Sequence, residues 1–391
     1  MVLKKLFYGN AVTGDERFSR PALEDRFMRA LTSSSGIKMF GLRRIGKSTM
    51  RLYASECFER EGRAFAYIDG QGLHSLNDLI SKLFQAMPPS EGFMNRALSI
   101  VTAGPVQSAL QALAEGLELE ETVTSAHWRL VSEAIRKAIR GNKVKPVLII
   151  DEFSYLIKNM AEKDEVIGSG DADKLLASMR EWRSEGMTML LTGSIGLTRL
   201  ARKHNLNLEH LNDLQPFSIP ELTEKEAREF IKQATSKSEG KWSDEHTECF
   251  LKETGVLYPC FLVLGLLEIN VSNPADIKDF PSIFADHVRP NLHNDFYNQF
   301  VARFKDYGDL DRGEREGLII PALSQIMNSG EACSQDDITC SDPFTQVDLA
   351  LALDMLADDG FICFSESKDG LRLWKPASRL TKLWWQRMKF T

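Results

Sequence analysis

Residues Gly41-Leu42-Arg43-Arg44-Ile45-Gly46-Lys47-Ser48 place two glycines five positions apart, directly ahead of a lysine and a hydroxyl. That spacing is chemistry for phosphate. Glycines let successive backbone N–H groups curl around phosphate oxygens, and a helix starting at the lysine adds its positive end. Within Gly41–Thr49, Lys47 is expected to reach the β- and γ-phosphates of a nucleoside triphosphate, and the Ser48 hydroxyl to bind Mg²⁺. A second set lies about a hundred residues on, where the apolar run Val147-Leu148-Ile149-Ile150 ends in Asp151-Glu152. Carboxylates at the carboxyl end of a buried strand sit where α/β folds bind ligands. Asp151 is expected to hold Mg²⁺ through water and Glu152 to orient and deprotonate the attacking water. Phosphoryl transfer is mostly positioning and charge stabilisation, so two acids and a lysine around a metal suffice. Asp69 also ends an apolar run, but Gly70 follows it in place of a second acid. Leu190-Leu191-Thr192-Gly193-Ser194 ends a further strand, and Ser194 either meets the γ-phosphate or lytic water or caps the next helix.

These residues need strands and helices to hold them. Gly36–Phe40 reads as a strand entering the phosphate loop, and the stretch from Ser48 towards Glu61 as a helix leaving it. Ala64–Asp69, Pro146–Asp151 and Thr188–Thr192 read as buried strands. Leu76–Met87, the stretch from Trp128 to Gly141, and Asp173–Arg183 read as helices between them. Strands that are almost continuously apolar and alternate with helices indicate a parallel sheet covered on both faces. The pattern weakens over residues 88–124, which read as a helical insertion or a loop. Beyond Pro216 the strand signals stop. Thr223-Glu224-Lys225-Glu226 is a capping box opening a helix to about Ala234, and helices fit Ser243–Thr254 and Tyr258–Asn270. Thr345 caps another helix that stops at Asp359-Gly360. Two strands joined by Lys368-Asp369-Gly370 follow, so helix plus β-hairpin gives the pattern of a winged helix-turn-helix domain.

The whole chain sets limits. Its 391 residues allow two or three domains, and a hydrophobic share of 43% with a charged share of 26% is ordinary for a globular protein. A net charge of −7 argues against a protein coated in nucleic acid along its length. The 6 cysteines are scattered without C-x-x-C spacing, as in a reduced, cytoplasmic protein. No secretory signal opens the chain, and the longest apolar run, Val256–Leu267, contains Pro259 and is too short to span a bilayer. Near the C-terminus Arg372, Lys375, Arg379, Lys382, Arg387 and Lys389 run without an intervening acid, interleaved with Trp374, Trp384, Trp385 and Phe390. That mixture fits nucleic-acid contact, or equally a last helix with its tryptophans in the core.

Taken together, the phosphate loop, the Asp-Glu strand, the polar strand end and the helical lid resemble AAA+ ATPases. The nearer likeness is to the archaeal-type ATPases grouped with the STAND signalling NTPases. Phe18-Ser19-Arg20-Pro21-Ala22-Leu23-Glu24 resembles that family's N-terminal element near the adenine. Gly41–Ser48 carries its paired arginines, Thr192–Leu197 resembles its sensor strand and following helix, and Gln215–Ala227 resembles the entry to its lid. The likeness covers about residues 8–270. It departs at Gly255-Val256-Leu257-Tyr258-Pro259, where the lid motif is spaced more widely, and no arginine finger is assigned among Arg180, Arg183, Arg199 and Arg202.

The resemblance implies an α/β P-loop NTPase αβα sandwich over residues 1–216, a helical lid over 217–275, a helical linker over 276–308 and a winged helix over 309–391. It implies ATP and Mg²⁺ as cofactors, with Gly41, Leu42, Arg43, Arg44, Ile45, Gly46, Lys47, Ser48 and Thr49 on the nucleotide, Ser48 and Asp151 on the metal, and Glu152 and Ser194 in catalysis. Two functions follow: a slowly hydrolysing molecular switch, with a partner protein or further copies of itself, or a factor gripping double-stranded DNA through the winged helix. A P-loop kinase would need an acceptor pocket and would leave the Asp-Glu strand and the lid unexplained.

Overall fold

The computed structural model describes residues 6, 8–9, 11–86, 97, 128–168, 170–236, 241–270, 273–309, 316–339 and 344–388. The stretch 88–124, apart from Ala97, lies outside the described residues. Those described pack as two compact units, one drawn from 21–40 and 50–218, the other from 1–20, 41–49 and 219–391.

The first unit is built on five parallel strands: β1 (Gly36–Phe40), β2 (Phe65–Asp69), β3 (Val147–Asp151), β4 (Thr188–Gly193) and β5 (Gln215–Pro216), in the order β2-β3-β4-β1-β5. Every residue of β4 is buried, and in β3 all but Asp151 are. Alternation then divides the strand side chains between two cores. Ala66, Ile68, Leu148, Ile150, Met189 and Leu191 share one with the apolar stripes of α3 (Leu76–Ala86), α4 (Trp128–Gly141), α5 (Phe153–Ile167), α6 (Asp171–Ser184) and α7 (Leu197–His204). The intervening Ile37, Met39, Val147, Ile149 and Leu190 are equally buried, and α1 (Pro21–Ser33) packs against β1 and β4. Phe27 of α1 meets Phe217, just past β5, edge to face at 5.3 Å. A sheet this apolar on both faces must be covered twice, which is what the sequence pattern requires.

Two buried indoles and a buried guanidinium inside this unit find polar partners. Trp128 and Trp182 donate their indole N–H groups to Ser178 Oγ at 2.9 Å and to Ser132 at 3.1 Å. The buried Arg183 guanidinium forks onto Asp213 at 2.7 and 2.8 Å. Burial by itself would raise the Asp213 pKa, but the Arg183 hydrogen bonds more than offset it and hold the carboxyl below its usual value.

Two elements depart from the sequence reading. Helix α5 follows Glu152 directly, with Phe153, Leu156, Ile157, Met160 and Ala161 as its buried stripe. Its spacing is helical, but it starts at the acid pair, where the reading stopped. Strand β5 has two residues, too few for any periodicity to register.

In the second unit the capping box stands as read. Thr223 accepts from the Glu226 N–H at 3.2 Å, and Glu226 accepts from the Thr223 N–H at 2.8 Å, opening α8 (Glu224–Thr235). Helices α9 (Asp244–Thr254) and α10 (Pro259–Ile269) follow, then α11, helical throughout 280–309 with π-turns at Phe284–Val288 and His293–Tyr297. Its Phe284, Phe296 and Phe300 are fully buried, against Phe250, Phe261 and Trp384 respectively. The C-terminal elements are α12 (Glu316–Asn328), β6 (Cys333–Ser334), α13 (Gln346–Asp358), β7 (Ile362–Glu366), β8 (Arg372–Pro376) and α14 (Arg379–Met388), with an antiparallel sheet in the order β6-β8-β7. The two-residue β6 was not visible in the sequence.

One residue tests the central pairing. Gly36 opens β1 at φ +131°, and a Cβ there would lie 1.9 Å from the Met189 carbonyl oxygen of β4. Gly36→Ala is expected to destabilise the protein by about 3 kcal/mol or more, read by urea unfolding. A loss under about 1 kcal/mol would mean that the β1–β4 pairing is not a tight constraint.

Candidate functional site

The phosphate loop is built by its own backbone. Gly46 at φ +109° and Gly41 at φ +142° occupy conformations that side chains resist, and Arg44 is itself left-handed at φ 67°. Helix α2 (Lys47–Arg60) begins at the lysine. Lys47 is buried, and its ammonium donates to the carbonyls of Gly41 at 2.9 Å and Leu42 at 2.5 Å. The apolar Leu42 and Ile45 are buried as well. The paired arginines turn to α11: the Arg43 backbone N–H donates to Gln299 Oε1 at 3.0 Å, and the Arg44 guanidinium pairs with Asp295. Arg44 also lies 4.9 Å from the centre of the Tyr8 ring, and the Tyr8 hydroxyl donates to the same Asp295. Burial and then that carboxylate push the Tyr8 pKa well up, so the phenol stays a donor.

In the first unit, Asp151 and Glu152 stand at the carboxyl end of β3, beside the polar end of β4. The Asp151 Oδ1 accepts from the Thr192 hydroxyl and, at 3.1 Å, from the Glu152 N–H. Arg51 of α2 approaches Oδ2 at 3.5 Å. Glu152 precedes α5 at φ 48°, ψ 37°, a left-handed conformation that costs a non-glycine residue about 1–3 kcal/mol. Its Oε2 accepts from both the N–H (3.1 Å) and the hydroxyl (2.8 Å) of Ser194, and these two bonds hold it there. Strand β4 lies between β1 and β3, so the sheet order sets Phe40, the last residue before the phosphate loop, opposite Gly193. Thr192 was read only as part of a sensor-like strand; its bond to Asp151 depends on register, which the sequence does not disclose.

The rival acid Asp69 pairs with Asp151 in register, and its Oδ1 accepts the Gln71 N–H at 3.0 Å, the geometry of a turn. Among the arginines left unassigned, Arg183 is consumed by Asp213, and Arg180 donates to the Glu209 carbonyl at 2.8 Å. In the Phe18–Glu24 segment, Arg20 is buried and donates to the Pro220 and Glu221 carbonyls at 2.9 and 3.1 Å and to Glu226. Phe18 meets Phe230 edge to face at 5.3 Å, so this segment is tied to α8. The C-terminal tryptophans Trp374, Trp384 and Trp385 are buried, which is the core reading of that basic and aromatic stretch. Arg372 pairs with Asp354 at 2.9 Å, and Arg387 lies over the Tyr297 ring.

Asp151 presents oxygen only, the donor type that a hard cation such as Mg²⁺ takes. Thr192 is fully buried, so Thr192→Val keeps the shape and leaves Asp151 short of a donor. The variant is expected to lose about 1–3 kcal/mol of stability in chemical denaturation. No loss would mean that the hydroxyl does not hold the carboxylate.

No protein-family model matches the sequence, and no curated protein matches it. Among solved structures, the chain is similar to the Walker-type ATPase of Pyrococcus abyssi at 17% identity, with 95% of this chain and 97% of that one covered and a TM-score of 0.51. It is more loosely similar to the ORC2 protein of Aeropyrum pernix in its ADP form (13% identity, 96% and 95% covered, TM-score 0.46). The ORC1 protein of Aeropyrum pernix in complex with DNA is similar at 14% identity, with 94% and 93% covered and a TM-score of 0.38. The first establishes the fold: the chain is an α/β protein of the P-loop NTPase type, and the resemblance to archaeal-type ATPases is borne out at that level.

Proposed function

We propose that the chain is an ATPase of the AAA+/STAND kind, a slow molecular switch that binds ATP with Mg²⁺ through Gly41–Thr49. One observation carries this reading. In a parallel sheet ordered β2-β3-β4-β1-β5, the strand ending in Asp151-Glu152 is bonded at its tip to the polar end of its neighbour, through Thr192 and Ser194. That arrangement presents one carboxylate for a metal and one for water, on a strand order that also carries a phosphate loop.

Each residue then has a role. The loop N–H groups and the Lys47 ammonium take the negative charge of the phosphates, and Lys47 must trade its two carbonyl partners for phosphate oxygens to do so. Ser48 and Asp151 hold the metal, which when bound neutralises charge on the phosphates. Glu152 orients the attacking water and takes its proton. Its Oε2 is held by Ser194, so the carboxylate has to turn from that partner before acting as a base, which fits slow turnover. Residues 309–391 are read as a winged helix that reports the nucleotide state to a partner protein or to further copies of the chain. A duplex-DNA partner finds less support, because the tryptophans of the basic stretch are core and Arg372 is already paired with Asp354. Among the described residues, no helix is long and apolar enough to cross a membrane.

Two variants separate binding from chemistry. Lys47→Ala is expected to abolish tight binding of a fluorescent ATP analogue; affinity within a few-fold of wild type would remove the loop from the site. Glu152→Gln is expected to bind ATP normally and to release phosphate about 10²–10⁴-fold more slowly. Near-normal phosphate release from Glu152→Gln would move the base elsewhere, with Asp69 the next residue to replace.

A further inference from the structure

Arg51 stands one turn into α2, and the sequence gives it no role. Its guanidinium lies 4.1 Å from the centre of the Tyr67 ring and 3.5 Å from Asp151 Oδ2. The contact with Asp151 is one of charge. Arg51 Nε makes no hydrogen bond, while Asp151 Oδ1 accepts from both Thr192 and the Glu152 N–H. One oxygen of the carboxylate is therefore fixed by hydrogen bonds, and the other faces a cation that is near but not bonded. A pair built for stability would use the bidentate fork that Arg183 makes with Asp213 in the same unit. The guanidinium is stacked on Tyr67 at the same time as it faces Asp151, so the ring holds it beside the carboxylate and off a closer bond. Tyr67 is 37% exposed, and burial of its phenol, resisted only by Arg51, keeps its pKa raised and the ring neutral.

We propose that Arg51 is a positioning residue acting through Asp151: before the metal arrives it neutralises the Oδ2 oxygen, and as Mg²⁺ loads it gives up that contact while staying stacked on Tyr67, so that it sets the metal concentration the site requires. The inference rests on the reading of Asp151 as a metal ligand. Its physical basis is competition. A carboxylate that already has a cation at 3.5 Å gives up that attraction when a second cation approaches, and two cations on one carboxylate repel. Asp69 and Glu152 also act electrostatically on the Tyr67 position, so the stacked guanidinium still faces negative charge once the metal takes Oδ2.

The test is a titration of the full chain with Mn²⁺, followed by electron paramagnetic resonance in the presence of a non-hydrolysable ATP analogue. Arg51→Met keeps the aliphatic stem and removes the charge; it is expected to tighten Mn²⁺ binding roughly three- to thirtyfold. Arg51→Lys retains the charge and is expected to stay within about twofold of wild type. Tyr67→Leu removes the ring that keeps the guanidinium from closing onto Asp151 and is expected to weaken Mn²⁺ binding, which keeps the proposal testable should Arg51→Met fail to fold. Unchanged or weaker Mn²⁺ binding in Arg51→Met, with Asp151→Asn still weakening it, overturns the role of Arg51 alone. If Asp151→Asn leaves Mn²⁺ binding unaltered, the metal assignment itself fails and the Arg51 role falls with it.

Discussion

Strand β4 is the constraint on which the first unit depends. All six of its residues are buried, and its backbone is shared between β1 on one side and β3 on the other. Unpaired peptide groups at that depth are costly, so the register of both neighbours is fixed once β4 is in place. The crowding at Gly36 shows how little slack remains, since the Met189 carbonyl occupies the space a side chain would need. A one-residue slip would turn every side chain of β4 to the other face and exchange Thr192 for an apolar neighbour beside Asp151. The chemistry proposed for Asp151 and Glu152 is thus a consequence of sheet register before it is a matter of acidity.

The acid pair illustrates two ways of holding a carboxylate at a sheet edge. Asp151 is fixed at one oxygen by hydrogen bonds and met at the other by an unbonded cation. Glu152 is held by the backbone and hydroxyl of Ser194 while its own backbone sits in the left-handed region. Conformations of that kind persist only where the surroundings over-determine them, and they concentrate at functional positions. Neither acid is part of a rigid buried salt bridge of the Arg183–Asp213 type, so both keep the freedom to exchange partners.

The second unit treats the phosphate loop as one of its own packing elements. Lys47 is satisfied by loop carbonyls, Arg43 and Arg44 by Gln299 and Asp295 of α11, and α11 in turn buries Phe296 and Phe300 against Phe261 and Trp384. Just ahead of α8, Glu221 accepts the Leu257 N–H at 2.7 Å and the Arg379 N–H at 3.2 Å, linking α14 to the same framework. A ligand that draws Lys47 or the arginines away must break bonds that reach into this core. Under the switch proposed above, nucleotide binding and helix packing would compete for the same donors.

Much of this was legible in the sequence because it is local. The strand–loop–helix around Gly41–Ser48, the Thr223 capping box and the stripe from Trp128 to Ile139 depend on residues a few positions apart, and each element forms where its pattern says. Helix α5 was legible in principle, from Phe153, Leu156, Ile157 and Met160, but its polar face and its start at the acid pair concealed it. The two-residue strands β5 and β6 carry no pattern at all; neighbouring strands impose them. The sequence by itself determined that a phosphate loop and an acidic strand end exist in a parallel α/β fold. Only the tertiary structure decided that β4 lies between β1 and β3, that Thr192 and Ser194 hold the two acids, and that Asp151 and Tyr67 share Arg51. The physical reason is that these are contacts between residues 16 to 153 positions apart, from Arg51–Tyr67 to Gly36–Met189, and what selects them is the burial and hydrogen-bond pairing of whole strands, not the propensity of any one segment.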